Sequence, residues 1–418
     1  MTPMWTGYDR PRTGPDLAMT AVGRGTPMGE LLRRYWQPVA LSAELDDRDP
    51  KPVRVLGEDL VAFRDRTGRV GLLHSRCCHR GTTLYYGKIE ERGLRCCYHG
   101  WLFATNGTCL EMPCEPDGSQ RPQMVRQPWY PVREYHGLVF AYMGPADRMP
   151  AFPIYDCIEA DASRDDRVVL ASAGLGSGGH VVLPELNLRS GAPVLPANWL
   201  QIFENVMDPY HVHILHMTLS GPQFAAAMGR TPEISWADTP YGMRALQDRQ
   251  MEDGRLFRRI TEALVPNVRL VPSPAAGEAG HPFEPGGLLS WVVPLDDTTT
   301  TFFSLGPFLL QQDGTPHPVR RSQFGGRDWE ALSELEHRRM PGDYEAQVGQ
   351  GPITIHAEEH LVLSDRGILM LRRKWREQAA LVENGCDPVG IAAGHEMVTV
   401  VTTAGNFLMS AADARATP

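Results

Sequence analysis

The chain has 418 residues, more than one ordinary hydrophobic core accommodates, so we expect two domains. Its formal net charge is −9 and it has no basic run, which argues against a nucleic-acid-binding surface. Residues 1–20 lack the apolar stretch of a signal peptide, and the longest apolar run, 138–143, is too short to span a bilayer. We therefore predict a soluble, cytoplasmic protein without membrane partners.

The first part of the chain reads as a short arm followed by a small β domain. Residues 1–25 contain Pro and Gly without periodicity and are interpreted as an N-terminal arm. Apolar residues at helical spacing predict a helix over 28–35. Short alternating segments on both sides of Gly57 predict a hairpin, and a further strand is predicted over 137–143. We assign this all-β domain to residues 26–150.

The second part, residues 151–418, mixes strands with a few long helices. This irregular alternation is typical of the α+β class. The predicted elements are strands over 168–171, 288–293 and 298–305, and helices over 200–216 and 368–383, with Gly385 as the stop of the last helix.

Six of the eight cysteines lie between 77 and 114, which favours a metal site over disulfides in a chain without an export signal. Two pairs stand out: Cys77-x-His79 and Cys96-x-x-His99. Two thiolates and two imidazoles are the ligand set of a Rieske-type [2Fe–2S] centre. They are equally the ligand set of a structural zinc site, and the spacing alone leaves both open.

A second cluster of metal-binding residue types lies in the predicted helix 200–216. Asn205, Asp208 and His211 are three positions apart and share a helix face. His211 and His216 are five apart, about 140° on a straight helix, so this pair requires an irregularity between them. His213 and His216 are a rival pair at i,i+3. Two histidines and one carboxylate form the facial triad of Fe(II) oxygenases.

A resemblance emerges from the residues around the first cluster. Cys77-Cys78-His79-Arg80-Gly81 and Cys96-Cys97-Tyr98-His99-Gly100-Trp101-x-Phe103 resemble the C-P-H-R-G…C-x-Y-H-G-W-x-F pattern of the Rieske domain of aromatic-ring oxygenases. Cys78 and Cys97 depart from that pattern. Since Cys78 is adjacent to His79 and cannot easily reach the same iron, we assign Cys77, His79, Cys96 and His99 as cluster ligands. Cys78 and Cys97 are interpreted as small apolar neighbours.

The second cluster matches the mononuclear-iron motif of the same oxygenases, N-x-x-D-x-x-H-x-x-x-x-H, at every position. The resemblance implies that His211 and His216 bind iron. It implies that Asp208, in the same motif as Asn205, bridges an iron-bound histidine to a Rieske histidine of a neighbouring subunit. Such a carboxylate would orient both imidazole rings. His213 is then structural.

The third iron ligand must be a distant carboxylate. The candidates are Asp343, Glu345, Glu358, Glu359 and Asp365. In phthalate-type oxygenases, which this region resembles, the ligand precedes a G-P-I turn, and that position here is Asp343. Asp365 has a simpler interpretation as a helix N-cap.

A glycine-rich segment, 174–179, satisfies G-x-G-x-x-G. A dinucleotide site would require a helix directly afterwards, whereas 180–184 is β-branched and ends in Pro. We interpret the segment as a loop. With no evident NAD(P)H or flavin site, electrons must come from a partner, and the resemblance implies a separate reductase or ferredoxin that takes them from NAD(P)H.

The resemblance, which covers roughly residues 26–385, implies a Rieske domain followed by a helix-grip catalytic domain, an antiparallel sheet wrapped on helices. It implies a trimer or stacked trimers, and hydroxylation or O-demethylation of an aromatic substrate with O₂, as in the phthalate dioxygenase and O-demethylase branch. The alternatives are ring cis-dihydroxylation, a Rieske electron carrier, and a zinc-stabilised binding protein. An acidic substrate would need a cation, for which Arg258, Arg259 and Arg269 are candidates.

Overall fold

The computed structural model describes residues 13–46, 48–116, 119, 121–174, 182–183, 188–189, 194–278, 281–316, 332–392 and 396–410. The glycine-rich segment after Gly174 lies outside the described residues, as do residues 411–418 at the C-terminal end. Within the described part of the chain, none of the helices has both the length and the apolar composition of a membrane span.

The helices of the described residues are short, except for the last. They are α1 Leu17–Thr20, α2 Pro27–Arg33, α3 Asp156–Ala162, α4 Trp199–Glu204, α5 Tyr210–Ile214, α6 Glu334–Arg339, α7 Asp343–Val348 and α8 Arg366–Glu383.

The strands separate into those before and those after residue 150. The first group is β1 Trp36–Leu41, β2 Lys51–Val55, β3 Glu58–Arg64, β4 Val70–His74, β5 Lys88–Glu90, β6 Gly93–Arg95, β7 Leu102–Phe103, β8 Cys109–Glu111, β9 Trp129–Tyr130, β10 Val132–Tyr135 and β11 Leu138–Tyr142. The second is β12 Phe152–Tyr155, β13 Arg167–Ala173, β14 Val182–Leu183, β15 Leu188–Arg189, β16 Val194–Leu195, β17 Glu233–Thr239, β18 Gly242–Gln250, β19 Leu256–Leu264, β20 Val268–Val271, β21 Leu288–Pro294, β22 Thr300–Leu309, β23 Met397–Val400 and β24 Gly405–Met409.

The first group forms three small antiparallel sheets, ordered β1-β11-β10, β2-β3-β4-β9 and β5-β6-β7-β8. The predicted hairpin is confirmed: β2 pairs with β3 through Leu56 and Gly57, both at positive φ. The last two sheets enclose a small core that includes Phe63, Leu94 and Phe103. This core positions the loops that carry the two Cys-His pairs.

Most strands of the second group form one large antiparallel sheet with the path β15-β14-β13-β22-β21-β20-β19-β18-β17, in which β16 also pairs with β22 and β24 with β19. The strands β12 and β23 form a separate parallel pair. The Thr261 hydroxyl on β19 donates to the carbonyl of Val206, so this face of the sheet, which we call the inner face, is turned towards the helical segment that follows α4. The opposite, outer face carries Trp291, which packs against Phe140 and Tyr155. A sheet wrapped on helices confirms the predicted α+β class with a helix-grip second part.

The segment predicted as one helix over 200–216 is broken, and that prediction is wrong. After α4, residues Asn205–Met207 form a 3₁₀ turn, α5 begins at Tyr210, and Leu215–Leu219 form a π turn. Pro209 has no N–H to donate into a continuing α-helix, which accounts for the break. The irregularity required between His211 and His216 is present as the π turn, and the break at Pro209 is an additional one.

The N-terminal segment and the last long helix pack on the large core. Within the region interpreted as an arm, Met19 and Val22 are fully buried. The helix predicted over 368–383 is confirmed as α8, and Gly385 follows it at positive φ. Asp365 occupies the N-cap position, but its carboxylate accepts from Val362 N and does not cap α8. The division at residue 150 stays a prediction.

Candidate metal centres

The two Cys-His pairs lie on adjacent loops with the same turn geometry. In each loop a glycine at positive φ, Gly81 or Gly100, donates its N–H to the carbonyl of the loop's first cysteine, at 2.8 and 3.1 Å. Both predicted tight turns are thereby present. Cys77 and Cys96 are buried, while the imidazoles extend towards the surface.

The four side chains divide into a thiol pair and an imidazole pair. The thiols of Cys77 and Cys96 lie close enough to influence each other's pKa. The rings of His79 and His99 have centroids 4.5 Å apart. The neighbouring Cys78 thiol together with burial raises the pKa of Cys77, and burial raises the pKa of Cys96, while nearby backbone N–H groups act in the opposite direction on both.

This division fits a two-iron cluster better than one zinc ion. Around a single zinc ion, four donors at about 2.0–2.3 Å lie within roughly 4 Å of one another. All four side chains belong to the described residues, yet no three of their donor atoms lie within 4.8 Å of one another. In a Rieske centre the thiolates bind one iron and the imidazoles the other, so no such group of three is expected.

Two side chains hold the first loop. The side chain of Gln127 is buried, accepts from Cys78 N at 2.7 Å, and donates to the carbonyls of His74 and Arg76 at 2.9 and 2.8 Å. The ring of Trp101 stacks on His79 at 4.3 Å with an interplanar angle of 6°. Trp101 is part of the matched motif, whereas sequence reasoning missed Gln127, which nothing local in the sequence marks.

The doubled cysteines are the exposed members of their loops. Cys78 and Cys97 are both exposed and Cys78 lies beside Cys77, so their interpretation as small apolar neighbours of the cluster stays a prediction. Adjacent residues on a tight loop point in different directions, and the buried positions fall to Cys77 and Cys96.

The second centre lies deeper in the chain. Among the described residues, one group of three metal-binding side chains has donor atoms within 4.8 Å of one another: His211, His216 and Asp343. The Asp343 Oδ1 atom lies 3.5 Å from His211 Nε2 and 3.3 Å from His216 Nε2. Donors about 2.1 Å from one ion and at roughly right angles lie about 3 Å apart, so the three atoms fit one metal ion.

The charges of the triad reinforce this geometry. Although burial alone would raise it, the neighbouring His216 and His211 imidazoles hold the pKa of Asp343 below its ordinary value. Burial alone would lower the pKa of His216, but the Asp343 carboxylate raises it. The carboxylate is therefore ionised and available as an anionic ligand.

The broken helix is what brings the two histidines together. Their spacing, i,i+5, matches the hydrogen-bond register of a π-helix, and the π turn begins just before His216. The rings of His211 and His216 have centroids 5.4 Å apart.

Asp343 is held in place from both sides of α7. The hydroxyl of Ser220, directly after the π turn, donates to the Pro341 carbonyl at 2.6 Å. At the other end, the buried Gln201 amide donates to the carbonyls of Gln347 and Gly351 at 3.0 and 2.9 Å. These contacts position a ligand that is 127 positions from His216 in the sequence.

Side-chain partners orient both imidazoles and flank the triad. His216 Nδ1 lies 2.8 Å from the Gln223 Oε1 atom, which leaves Nε2 directed at Asp343. The Asn205 amide nitrogen lies 3.2 Å from both His211 Nε2 and Asp343 Oδ1. Gln223 is a further residue that sequence reasoning missed, since no motif position marks it.

Asp208 lies between the triad and the surface. Its carboxylate oxygen is 3.9 Å from His211 Nδ1, and its backbone carbonyl contacts the same nitrogen more closely. The side chain is about one-third exposed, and burial of the remainder, with the nearby Asp365 carboxylate, raises the pKa of Asp208.

The other carboxylates considered as third ligand are engaged elsewhere. Glu345 accepts from Gly342 N and lies 2.8 Å from His337 Nδ1, while Glu359 pairs with Arg372. Glu358 is in a 3₁₀ turn and does not belong to the group of three. Of the five candidate carboxylates, only Asp343 lies close to both His211 and His216. His213 also stays outside that group.

The three candidate arginines have different surroundings. Arg258 pairs with Asp248 at 2.8 Å, and Arg259 donates to the carbonyls of Ser273 and Pro272 at 3.0 and 2.7 Å. Arg269 stacks on an aromatic ring and lies close enough to the triad to influence Asp343.

Comparison with known proteins identifies related chains over most of the length. Residues 35–131 match the Rieske [2Fe-2S] domain family. The chain is 47% identical over 398 residues to phenoxybenzoate dioxygenase subunit alpha of Ectopseudomonas oleovorans, covering 94% of this chain and 91% of that protein. It is 40% identical to the tert-butanol monooxygenase / tert-amyl alcohol desaturase oxygenase subunit of Aquincola tertiaricarbonis, over 91% of this chain and 79% of that protein.

A third relative is the 5,5'-dehydrodivanillate O-demethylase oxygenase subunit of Sphingobium sp., 34% identical over 89% of this chain and 81% of that protein. Among solved structures, a QL mutant of NdmA from Pseudomonas putida CBB5 with caffeine superposes with a TM-score of 0.60 at 19% identity, covering 88% of this chain and 99% of that one. This likeness supports the fold.

Proposed function

Since the chain belongs to the Rieske non-heme iron oxygenases and is an oxygenase subunit of that family, we propose that it oxidises a small aromatic, carboxylated substrate with O₂. The proposal depends on one observation above all, the convergence of His211, His216 and Asp343. An electron carrier without oxygenase activity and a zinc-stabilised binding protein are set aside, because the relatives are oxygenase subunits over most of the chain.

We assign the ligands of the two metal groups as predicted from the sequence. The family carries a Rieske cluster and depends on iron, and when bound the cluster supplies single electrons to a mononuclear iron that activates O₂. The cluster ligands are Cys77, His79, Cys96 and His99, and the mononuclear ligands are His211, His216 and Asp343. Asn205 and Gln223 orient the latter side chains.

The partly exposed position of Asp208 supports a role between subunits. The segment of Asp365, whose carboxylate influences Asp208, includes the exposed Leu363, and the Rieske loops carry the exposed Tyr98 next to His99. Arg80 on those loops is exposed and opposite in charge to Asp208. We infer that copies of this chain assemble head to tail, as a trimer or stacked trimers, so that the Rieske loops of one copy meet Asp208 of the next.

In this arrangement Asp208 accepts a hydrogen bond from an imidazole on each side. The carboxylate would orient the His211 ring from within its own chain and a Rieske histidine from the partner chain. The side chain is partly exposed towards a partner and partly buried towards His211, which is the placement that such a bridge needs.

The names of the relatives suggest the reaction class, and three reactions remain as candidates. We favour hydroxylation or O-demethylation, as the name of the dehydrodivanillate relative suggests, with ring cis-dihydroxylation as the alternative. Electrons would come from NAD(P)H through a separate reductase or ferredoxin. The cytoplasm stays the predicted compartment.

Metal analysis followed by turnover tests this function. Purified protein should be red-brown and contain about three irons per chain, two in the cluster and one in the mononuclear site. With a surrogate reductase and NADH, an aromatic acid should stimulate O₂ uptake, and formaldehyde or a cis-diol would identify the reaction. A colourless protein with one zinc ion per chain would contradict the proposal.

A further inference from the structure

The inner face of the large sheet carries a cation among small side chains. On β20, Arg269 is paired with Ala263 of β19 on one side and with Ser290 of β21 on the other. Ser290 in turn is opposite Ser304 of β22. Since facing residues of neighbouring strands project to the same side, these side chains share the inner face with Thr261, which contacts the segment after α4.

The guanidinium of Arg269 has an aromatic contact but no polar one. It reaches across β21 and lies 4.4 Å from the ring centroid of Phe302 on β22. Its Nε atom is buried without a hydrogen-bond partner, and within the described residues the side chain forms no ion pair. Arg269 is partly rather than fully buried, and a half-buried cation without a polar partner is expected to have an anionic one when the site is in use.

Neither of the other candidate arginines has a guanidinium without polar partners. The charge of Arg258 is balanced by Asp248, and the Arg259 guanidinium donates to two backbone carbonyls and to the Asn406 side chain. Arg269 is therefore distinguished from them by its lack of polar partners.

Asp343 is close enough to interact with Arg269 through space, but among the described residues no ion pair within 4 Å joins the two side chains. The Asp343 Oδ1 atom is turned to His211, His216 and Asn205. Burial lowers the pKa of Arg269 to about 10, which leaves the guanidinium charged at neutral pH. A cation thus lies beside the triad, on the sheet side of the site.

Two buried hydroxyls accompany this cation. The Ser304 hydroxyl donates to the Ser290 hydroxyl at 2.8 Å, and both residues are almost completely buried. The proton of Ser290 is then free to be donated to a further acceptor. A guanidinium beside a hydroxyl donor can donate hydrogen bonds to the two oxygens of a carboxylate.

We propose that Arg269, assisted by the Ser290 hydroxyl, binds the carboxylate of the substrate on the inner face and so sets which carbon of the ring is presented to the His211–His216–Asp343 triad. This inference rests on the proposed function and specifies its substrate class. It predicts that an uncharged substrate, such as the alcohol in the name of one relative, is not the kind that this chain prefers.

Binding of a matched acid and amide to the iron-loaded protein tests this assignment. The probes are 3-phenoxybenzoate and 3-phenoxybenzamide, which have nearly the same shape and differ in charge, and the measurement is titration calorimetry. The wild-type protein should bind the acid more tightly than the amide. Arg269→Gln should weaken acid binding by about 10- to 100-fold and leave amide binding nearly unchanged. Arg269→Lys and Ser290→Ala should show intermediate losses.

The matched control is Arg258→Gln, which removes a guanidinium of the neighbouring strand that already has its own carboxylate partner. It should bind both probes as the wild type does. Equal affinities of Arg269→Gln and wild type for the acid, equal losses for acid and amide, or no acid binding by the wild type at millimolar concentration would each overturn the inference. A full iron content with O₂ uptake on another substrate would still leave the proposed function standing, whereas absence of the mononuclear iron would overturn that function itself.

Discussion

The two metal centres of this chain are built in opposite ways. The Cys-His pairs lie on two local loops whose turns depend on Gly81 and Gly100, and their imidazoles are partly exposed. The triad is assembled from a broken helix and from α7, and its ligands His216 and Asp343 are 127 positions apart. One centre is local and near the surface, the other is a product of tertiary structure.

The difference matches what each centre has to do. Under the proposed function, electrons enter from another protein, so the imidazole edges of the first centre must be reachable. The triad would work on O₂ and a substrate; its His216 is fully buried, and its carboxylate is fixed through Ser220 and Gln201 at the two ends of α7. Removing a ligand from either centre should therefore leave the other intact.

The largest expected effect is at the remote ligand. Asp343→Asn removes the anionic ligand, and we expect iron to fall from about three to about two per chain, with O₂ uptake reduced by at least about 100-fold. The visible spectrum of the cluster should stay unchanged. Glu345→Gln, two residues later on α7, is the matched control and should keep all its iron. Loss of the cluster spectrum in Asp343→Asn would show that the two centres are not independent.

Substitution of a ligand in the first centre should abolish the iron–sulfur cluster. Cys77→Ala removes a cluster ligand, so iron should fall to about one per chain and the red-brown colour should vanish. Cys78→Ala is the control next to it and should keep the cluster, because Cys78 is exposed and lies outside the assigned ligand set. Metal analysis and the visible spectrum decide the outcome, and a colourless Cys78→Ala protein would contradict the ligand assignment.

The same contrast separates what the sequence could predict from what it could not. The cluster loops were predicted with their ligands, because motif, turn glycines and spacing are all local. Asp343 could be chosen only by resemblance, since no residue near it in the sequence indicates that it lies close to His216 in space. The spacing of His211 and His216 required an irregularity between them, but neither its form as a π turn nor the full break of the helix at Pro209 was predicted, since both depend on packing. Gln127 and Gln223 were missed because their roles exist only in three dimensions.

A smaller effect, on stability, is expected when a buried ion pair of the catalytic part is compared with an exposed one. Arg372 is buried and hydrogen-bonds to both Glu204, directly before Asn205, and Glu359. Arg372→Met leaves two carboxylates without their partner and should lower the free energy of unfolding by about 3–5 kcal/mol. The neighbouring Arg373 is exposed and pairs only with Glu377, so Arg373→Met should cost a few tenths of a kcal/mol at most. Equal midpoints of the two variants in urea would contradict this ranking.

The smallest effect concerns the surface of the cluster part. Hydrogen bonding to Arg64 lowers the pKa of Glu134 below its ordinary value of 4.5. The contribution of this pair is therefore present above pH 4.5 and is lost as the pH falls through the lower pKa of the folded state. Because both side chains are partly exposed, the effect should be a few tenths of a kcal/mol. Glu134→Gln should flatten the dependence of stability on pH in this window, and an unchanged slope would argue against the pair.

The central claim is that the cluster of one copy serves the triad of the next through Asp208. Co-expression of Cys77→Ala with Asp343→Asn tests it most directly, since one chain lacks the cluster and the other lacks the mononuclear ligand. In a head-to-tail assembly, an Asp343→Asn copy can still pass electrons to a Cys77→Ala copy. We predict that the purified mixed assembly regains substrate-dependent O₂ uptake that neither variant has alone. A mixed assembly as inactive as the separate variants would contradict the account.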